Sequence, residues 1–136
     1  MRLLAATDAA LRLLMRLGAE PTRLRSTEEL SAATGVPRNH VQKIVQDLAD
    51  TGLVRTRRGA GGGVVLALAP SAIRLGVVVR RFESTQALVE CFRPDGGACC
   101  LSPDCRLRGV LAQARDAFLA RLDATTLADC LGPPAA

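Results

Sequence analysis

Cys91, Cys99 and Cys105 lie on one short stretch, Cys91-Phe-Arg-Pro-Asp-Gly-Gly-Ala-Cys99-Cys100-Leu-Ser-Pro-Asp-Cys105. Thiolates this close along the chain are ligands for a soft metal or an iron–sulfur cluster. Pro94, Gly96, Gly97 and Pro103 fold the stretch tightly, and it has little apolar content of its own, so its order depends on what it binds. Three thiolates leave one position to be filled from elsewhere. The only His, His40, falls on a distant segment. Cys100 and Cys130 qualify by type, but Cys100 adjoins Cys99, and both could reach one centre only with strain. Zinc is a further reading of a three-cysteine loop.

The elements that must position this loop are legible upstream. Leu11, Leu14 and Met15 fall at helical spacing in a segment from about Thr7 to Gly18. Ser26 and Glu29 have the spacing of a capping box and open a second, short helix. Gly35-Val36-Pro37 then turns the chain, with Pro37 expected at the first position of a third helix. Val41, Ile44, Val45 and Leu48 give that helix one apolar face. Its other face carries Arg38, Asn39, His40, Gln42, Lys43 and Gln46. Two helices joined by a glycine turn, the second polar on its outer face, make a helix-turn-helix.

A hairpin follows, with strands expected at 53–58 and 64–68 around the tip Gly59-Ala-Gly61-Gly62-Gly63. Helix-turn-helix plus a basic, glycine-tipped hairpin is a winged helix. Ser71 is expected to cap a helix whose Leu75, Val78, Val79 and Phe82 form a further apolar face. After the cysteine loop, Leu107, Val110, Leu111, Ala114 and Phe118 repeat over a long helix to about Leu122, and a short helix and a Pro133-Pro134 tail end the chain. The predicted class is mainly α with a small β-hairpin, a winged helix-turn-helix plus a long dimerisation helix. Its parts are a DNA-binding domain at 1–82, a cluster-binding loop at 83–105, and the dimerisation helix and tail at 106–136. The long stripe has no evident partner in so small a chain, and pairing with its twin in a two-fold homodimer would bury it.

Composition agrees with a nucleic-acid partner. The net charge is +5, and every basic residue except Lys43 is Arg, the side chain whose planar fork suits phosphate and guanine. Trp and Tyr are absent and Phe occurs three times, which argues against single-strand binding by base stacking. The expected partner is double-stranded DNA bearing a palindromic operator. The third helix would present Arg38, Asn39, His40, Gln42 and Lys43 to the major groove, and the wing Arg57, Arg58, Gly61 and Gly62. No nucleophile with a base, phosphate loop or paired catalytic carboxylates is evident, so an enzyme is not expected. The start reaches Asp8 before a signal-peptide core can form, and no stretch is long enough to span a bilayer. With five cysteines, these features point to the reducing cytoplasm rather than to disulfides. Cys130 reads as a small buried hydrophobe. A small electron-transfer or cluster-carrier protein is the reading from another class, but it has no use for a recognition helix or a wing.

The winged helix, the Arg38-Asn39-His40 opening of its third helix, the glycine wing and the loop ending Cys105-Arg-Leu-Arg resemble the Rrf-type iron–sulfur winged-helix transcriptional regulators. The resemblance runs from Thr7-Asp8 to Leu127-Ala-Asp129 and is strongest to the subgroup of nitric-oxide-sensing repressors. It implies that Cys91, Cys99 and Cys105 ligate a [4Fe–4S] rather than a [2Fe–2S] cluster. It also implies that Asp8, from the first helix of the partner subunit, is the fourth ligand. A related subgroup of cluster-biogenesis regulators completes a [2Fe–2S] cluster with a His three residues after its last Cys, and Arg108 stands there in this chain. The chain departs from the pattern at Ala9, where an aromatic is usual, and by the added Cys100; Cys99 is favoured over Cys100 as the ligand.

Overall fold

The computed structural model describes residues 2–101 and 103–133. Eight elements follow one another: α1 (Ala5–Gly18), α2 (Thr27–Thr34), α3 (Arg38–Asp50), β1 (Val54–Arg57), β2 (Gly63–Leu66), α4 (Leu75–Glu83), α5 (Arg106–Asp123) and α6 (Leu127–Cys130). Short 3-10 turns at Pro70–Ala72 and Glu90–Phe92 join them. The fold is mainly helical with one two-stranded antiparallel hairpin, as the periodicities predict.

One core joins the helices of residues 5–83. Ala10, Leu13, Leu14 and Leu17 of α1 pack with Leu30 of α2, Val41, Ile44, Val45 and Leu48 of α3, and Val78 of α4. The buried stripe of α1 is thus one position off the expected one. Leu11 is only half-buried and Met15 is 36% exposed, because small Ala9 and Ala10 let α1 approach its neighbours closely. Ser26 opens α2 with the expected box, its hydroxyl accepting from the Glu29 amide at 3.1 Å and the Glu29 carboxylate accepting from the Ser26 amide at 2.8 Å. Gly35 ends α2 with φ of 72°, a conformation that costs a side chain but not glycine. Pro37 is the cap of α3 rather than its first turn.

The hairpin pairs Val54 with Leu66 through Arg57 with Gly63. A third segment joins it: the Arg25 amide donates to the Val64 carbonyl at 2.9 Å, and the Val64 amide donates back to the Arg25 carbonyl at 2.8 Å. Gly63 makes that approach possible, since a Cβ there would lie 2.5 Å from the Arg25 carbonyl oxygen.

Ser71 does not cap α4. It lies in a 3-10 turn, and Arg74 precedes the helix with extended backbone and no side-chain cap. The reason is tertiary. Arg74 bridges Thr126, the Leu75 amide donates to the Thr125 carbonyl and the Leu127 amide to the Ile73 carbonyl, so Ile73 and Arg74 stay extended and the helix waits until residue 75. The C-terminal segment therefore returns to the winged-helix core, with Leu127 buried. Cys130, expected inside, is exposed, because α6 is one turn long and buries only its Leu127 side. Of the expected Pro133-Pro134 tail, Pro134 lies outside the described residues.

Thr126 opens α6 with a second capping box. Its amide and hydroxyl both donate to Asp129 Oδ2 at 2.8 Å. The Thr126 amide first, and then its hydroxyl, hold the Asp129 carboxyl below its ordinary value of 3.8. A depressed carboxyl adds stability that is present above the unfolded pKa and lost as pH falls through the folded one. Asp129→Asn should therefore be less resistant than wild type to guanidinium at neutral pH, with the difference shrinking as pH falls below the ordinary carboxyl value of 3.8. Equal denaturation midpoints at pH 7 would remove Asp129 from the anchoring of this end.

The long helix α5 buries none of its residues. It is tied to α4 by a forked ion pair from Arg80 to Asp123, 2.6 Å on the Nη2 side, and Gly76 leaves room for the Asp123 carboxylate. Leu107 and Val110 are 60% and 61% exposed.

Candidate cysteine loop and DNA-reading surface

The cysteine loop leaves α4 at Glu83 and is braced by polar contacts rather than packing. The Arg93 guanidinium reaches Glu90 at 3.1 Å and Asp95 at 2.9 Å. The Asp95 carboxylate accepts from the Gly97 amide at 3.0 Å, and Glu90 accepts from the Ala98 amide at 3.2 Å. The Gly97 amide first, then Arg93, hold the Asp95 carboxyl below its ordinary range. Gly97 has φ of 60° and lies against the Glu90 carbonyl, so this turn admits no side chain. The Phe92 ring sits under the Arg115 guanidinium, 5.0 Å from its centroid, which ties the loop to α5.

Cys91, Cys99 and Cys105 are half-buried, Cys100 is exposed, and none is in a disulfide. By type this is a sound donor set for iron: three unpaired thiols on one segment that has little else to organise it. The chain alone does not gather them. Among the described residues no three His, Cys, Asp or Glu side chains converge into a ready metal site. Asp8 joins no such group either; it is exposed on the first turn of α1 and paired with Arg12 at 2.6 Å.

Two polar ties that the sequence reading missed lie at the root of the loop. Glu83 accepts from the Leu4 amide at 2.8 Å and from the hydroxyl of Thr7, which is fully buried. Arg81 donates to Asp47 of α3 at 3.0 Å. The last turn of α4 thus holds both the start of α1, next to Asp8, and the recognition helix. One signal was available in the sequence: Thr7 falls on the apolar stripe of α1, where a hydroxyl needs a partner.

On the opposite end, α3 offers Arg38, Asn39, His40, Gln42 and Lys43, all exposed. The wing adds exposed Arg57, Arg58 and Gly61 beside half-buried Gly62. Gly62 closes the tip by donating to the Gly59 carbonyl at 3.0 Å, and it has no room for a Cβ against the Arg57 carbonyl. A cavity of about 670 Å³ lies behind the hairpin, lined by Leu24, Arg55, Arg57, Val65 and Leu68 among others.

Residues 3–133 match the Rrf2 family, described as iron-dependent transcriptional regulators. The chain belongs to the Rrf2 family. It is similar to the HTH-type transcriptional regulator NsrR of Geobacillus kaustophilus, with 44% identity over 132 residues, 96% of this chain and 90% of that one. NsrR of Bacillus subtilis is 40% identical over 130 residues, 95% and 89% of the two chains. Among solved structures, the Bacillus subtilis global cysteine regulator CymR matches with a TM-score of 0.78 at 25% identity, over 96% and 95% of the chains. T. potens IscR matches with a TM-score of 0.76 at 21% identity, over 96% and 85%. The protein is thus a winged-helix, DNA-binding transcriptional regulator of an iron-dependent family, and not an enzyme. No helix among the described residues is long and apolar enough to cross a membrane.

Proposed function

We propose that this Rrf2 protein is a cytoplasmic, homodimeric repressor whose iron–sulfur cluster reports nitric oxide, which releases it from a palindromic operator. The observation that carries the reading is the set of three free thiols on a loop rooted where α1 and α3 are tied together, in a chain whose relatives of 40% identity and more are named NsrR. Cys91, Cys99 and Cys105 would hold the cluster, [4Fe–4S] rather than [2Fe–2S], with Asp8 contributed across the dimer. When bound, the group supplies iron that reacts with nitric oxide. The protein's part is positional. A carboxylate holds iron less firmly than thiolate, and Arg12 stands ready as the partner of Asp8 whenever it is not a ligand. Asp8 would then fix the start of α1 to the partner's loop only while it is a ligand, and Glu83 and Arg81, which tie α4 to α1 and α3, would carry that difference to the recognition helix. Pairing of the exposed Leu107 and Val110 stripes would set the two reading heads at the spacing of operator half-sites, about 34 Å.

Anaerobically purified protein should be brown, carry iron and acid-labile sulfide as a dimer by native mass spectrometry, and release a two-half-site promoter on stoichiometric nitric oxide. Unchanged promoter binding after nitric oxide would sink the switch. Asp8→Ala should fold normally, since it loses only an exposed helical pair worth about 0.3–0.5 kcal/mol. It should nonetheless change iron retention or the nitric oxide dose. Wild-type values for both would exclude Asp8 from the site.

A further inference from the structure

Arg38 opens the recognition helix, and its guanidinium has a partner. Nη2 lies 2.7 Å from Oε1 of Glu28 in the first turn of α2, with the two side chains 61% and 57% exposed. The other carboxylate oxygen of Glu28 accepts from the Thr27 hydroxyl at 3.3 Å, so both oxygens are engaged. Asn39, His40, Gln42 and Lys43 are exposed and make no side-chain hydrogen bond or ion pair among the described residues. Arg38 alone of the groove-facing set is aimed in advance.

An exposed pair of this kind contributes little to folding. The Glu28 carboxyl is held below its ordinary value by its own backbone amide first, against an opposing effect of burial that outweighs the further lowering by the Arg38 charge. It is therefore ionised wherever the protein binds DNA. A carboxylate in contact with the first residue of the recognition helix repels phosphate on any sequence. It also cancels much of the generic attraction of Arg38 for the backbone. What survives is the placement: a guanidinium anchored at Nη2 by one ion-pair contact, with its remaining N–H groups free to meet the O6 and N7 of a guanine.

We infer that Glu28 is a specificity-determining positioning residue, which orients Arg38 toward a base and weakens binding to non-cognate duplex. The inference rests on the reading of Arg38 as a base contact. It separates the roles of two neighbouring charges: Arg38 supplies recognition, and Glu28 suppresses the phosphate binding that the same Arg would otherwise give everywhere.

The test is a set of anisotropy titrations of full-length protein, purified without oxygen, on operator and scrambled duplexes at several salt concentrations. Glu28→Gln should bind scrambled duplex about 3-fold tighter and operator about 3-fold weaker. The specificity ratio then falls about tenfold, equivalent to about 1.4 kcal/mol. Its salt slope on scrambled duplex should steepen by about one ion. Glu28→Asp should restore part of the ratio, and Glu28→Gln added to Arg38→Ala should leave the ratio of that variant unchanged. Equal melting temperatures establish that no variant acts through unfolding, which the exposure of both residues favours. A Glu28→Gln ratio equal to wild type, or the same fall in the Arg38→Ala background, overturns the role of Glu28. If Arg38→Ala itself keeps the wild-type ratio, the base contact fails and Glu28 fails with it. If Arg38→Ala lowers the ratio and Glu28→Gln does not, only the role of Glu28 is lost.

Discussion

Cys91→Ala and Cys105→Ala proteins, purified without oxygen, are expected to be colourless, with iron and sulfide near zero, and to bind the operator no better than unrelated DNA. That loss spans about three orders of magnitude or more, the usual gap between specific and non-specific affinity. Its size follows from the construction of the loop. The described residues between 84 and 105 contribute nothing to the buried core, and their cohesion comes from the exposed Glu90, Arg93 and Asp95 contacts, which are individually weak. Two remaining thiols cannot replace a three-point anchor, and Cys100, exposed and beside Cys99, cannot stand in for a ligand nine or five positions along the sequence from it without refolding the loop. Cys100→Ala and Cys130→Ala are the matched controls and should keep colour, iron and operator affinity. The decisive readings are the iron-to-protein ratio and the operator dissociation constant. Full operator affinity in an iron-free Cys91→Ala protein would uncouple the loop from DNA binding altogether.

Gly63→Ala is expected to cost about 2–5 kcal/mol of folding stability. Left-handed backbone at φ of 155° costs a side chain about 1–2 kcal/mol. The new Cβ would also fall 2.5 Å from the Arg25 carbonyl oxygen. That neighbour is main chain, so relief requires parting the Arg25–Val64 bridge. Its two hydrogen bonds, 2.9 and 2.8 Å, are each worth roughly 0.5–1.5 kcal/mol net. Arg25 is itself buried at 5% exposure, paired with Glu20 at 2.5 Å, and its Nε has no partner, so disturbing its seat cannot be cheap. The readings are the denaturant midpoint and the salt dependence of DNA binding. A wing freed at its root should weaken contacts from Arg57 and Arg58 on all sequences alike. Wild-type stability of the variant would mean that the bridge is dispensable and the wing is held by β1 pairing alone.

Gly63 also marks the boundary between what local sequence carries and what it does not. From the sequence it was one of a run of tip glycines, equivalent to Gly61 and Gly62. In the structure it is the position where a third chain segment crosses, 38 residues away along the sequence (63 − 25). Nothing in the run itself announces Arg25. The same holds for α4, where Ser71 looked like a cap and the real start is imposed by hydrogen bonds to Thr125 and from Leu127. Met15 lies off the buried stripe of α1 because periodicity gives a stripe but not its angular centre, which the small Ala9 and Ala10 decide through close helix approach.

What the amino-acid order determined by itself were features governed by contacts within a few residues: the helices, the Ser26–Glu29 box, the Gly35 turn, the hairpin, and the thiol spacing of the loop. Such features depend on local backbone preference and apolar period, which a linear pattern carries. Tertiary structure alone decided which distant polar groups meet. Glu83 came to Thr7, Arg81 to Asp47, and Glu28 to Arg38 because a hydrogen bond or ion pair between separate helices is set by how those helices pack, and no local pattern encodes that. It also left the three cysteines ungathered within a single chain, since a loop without apolar content has no force of its own to draw its thiols together.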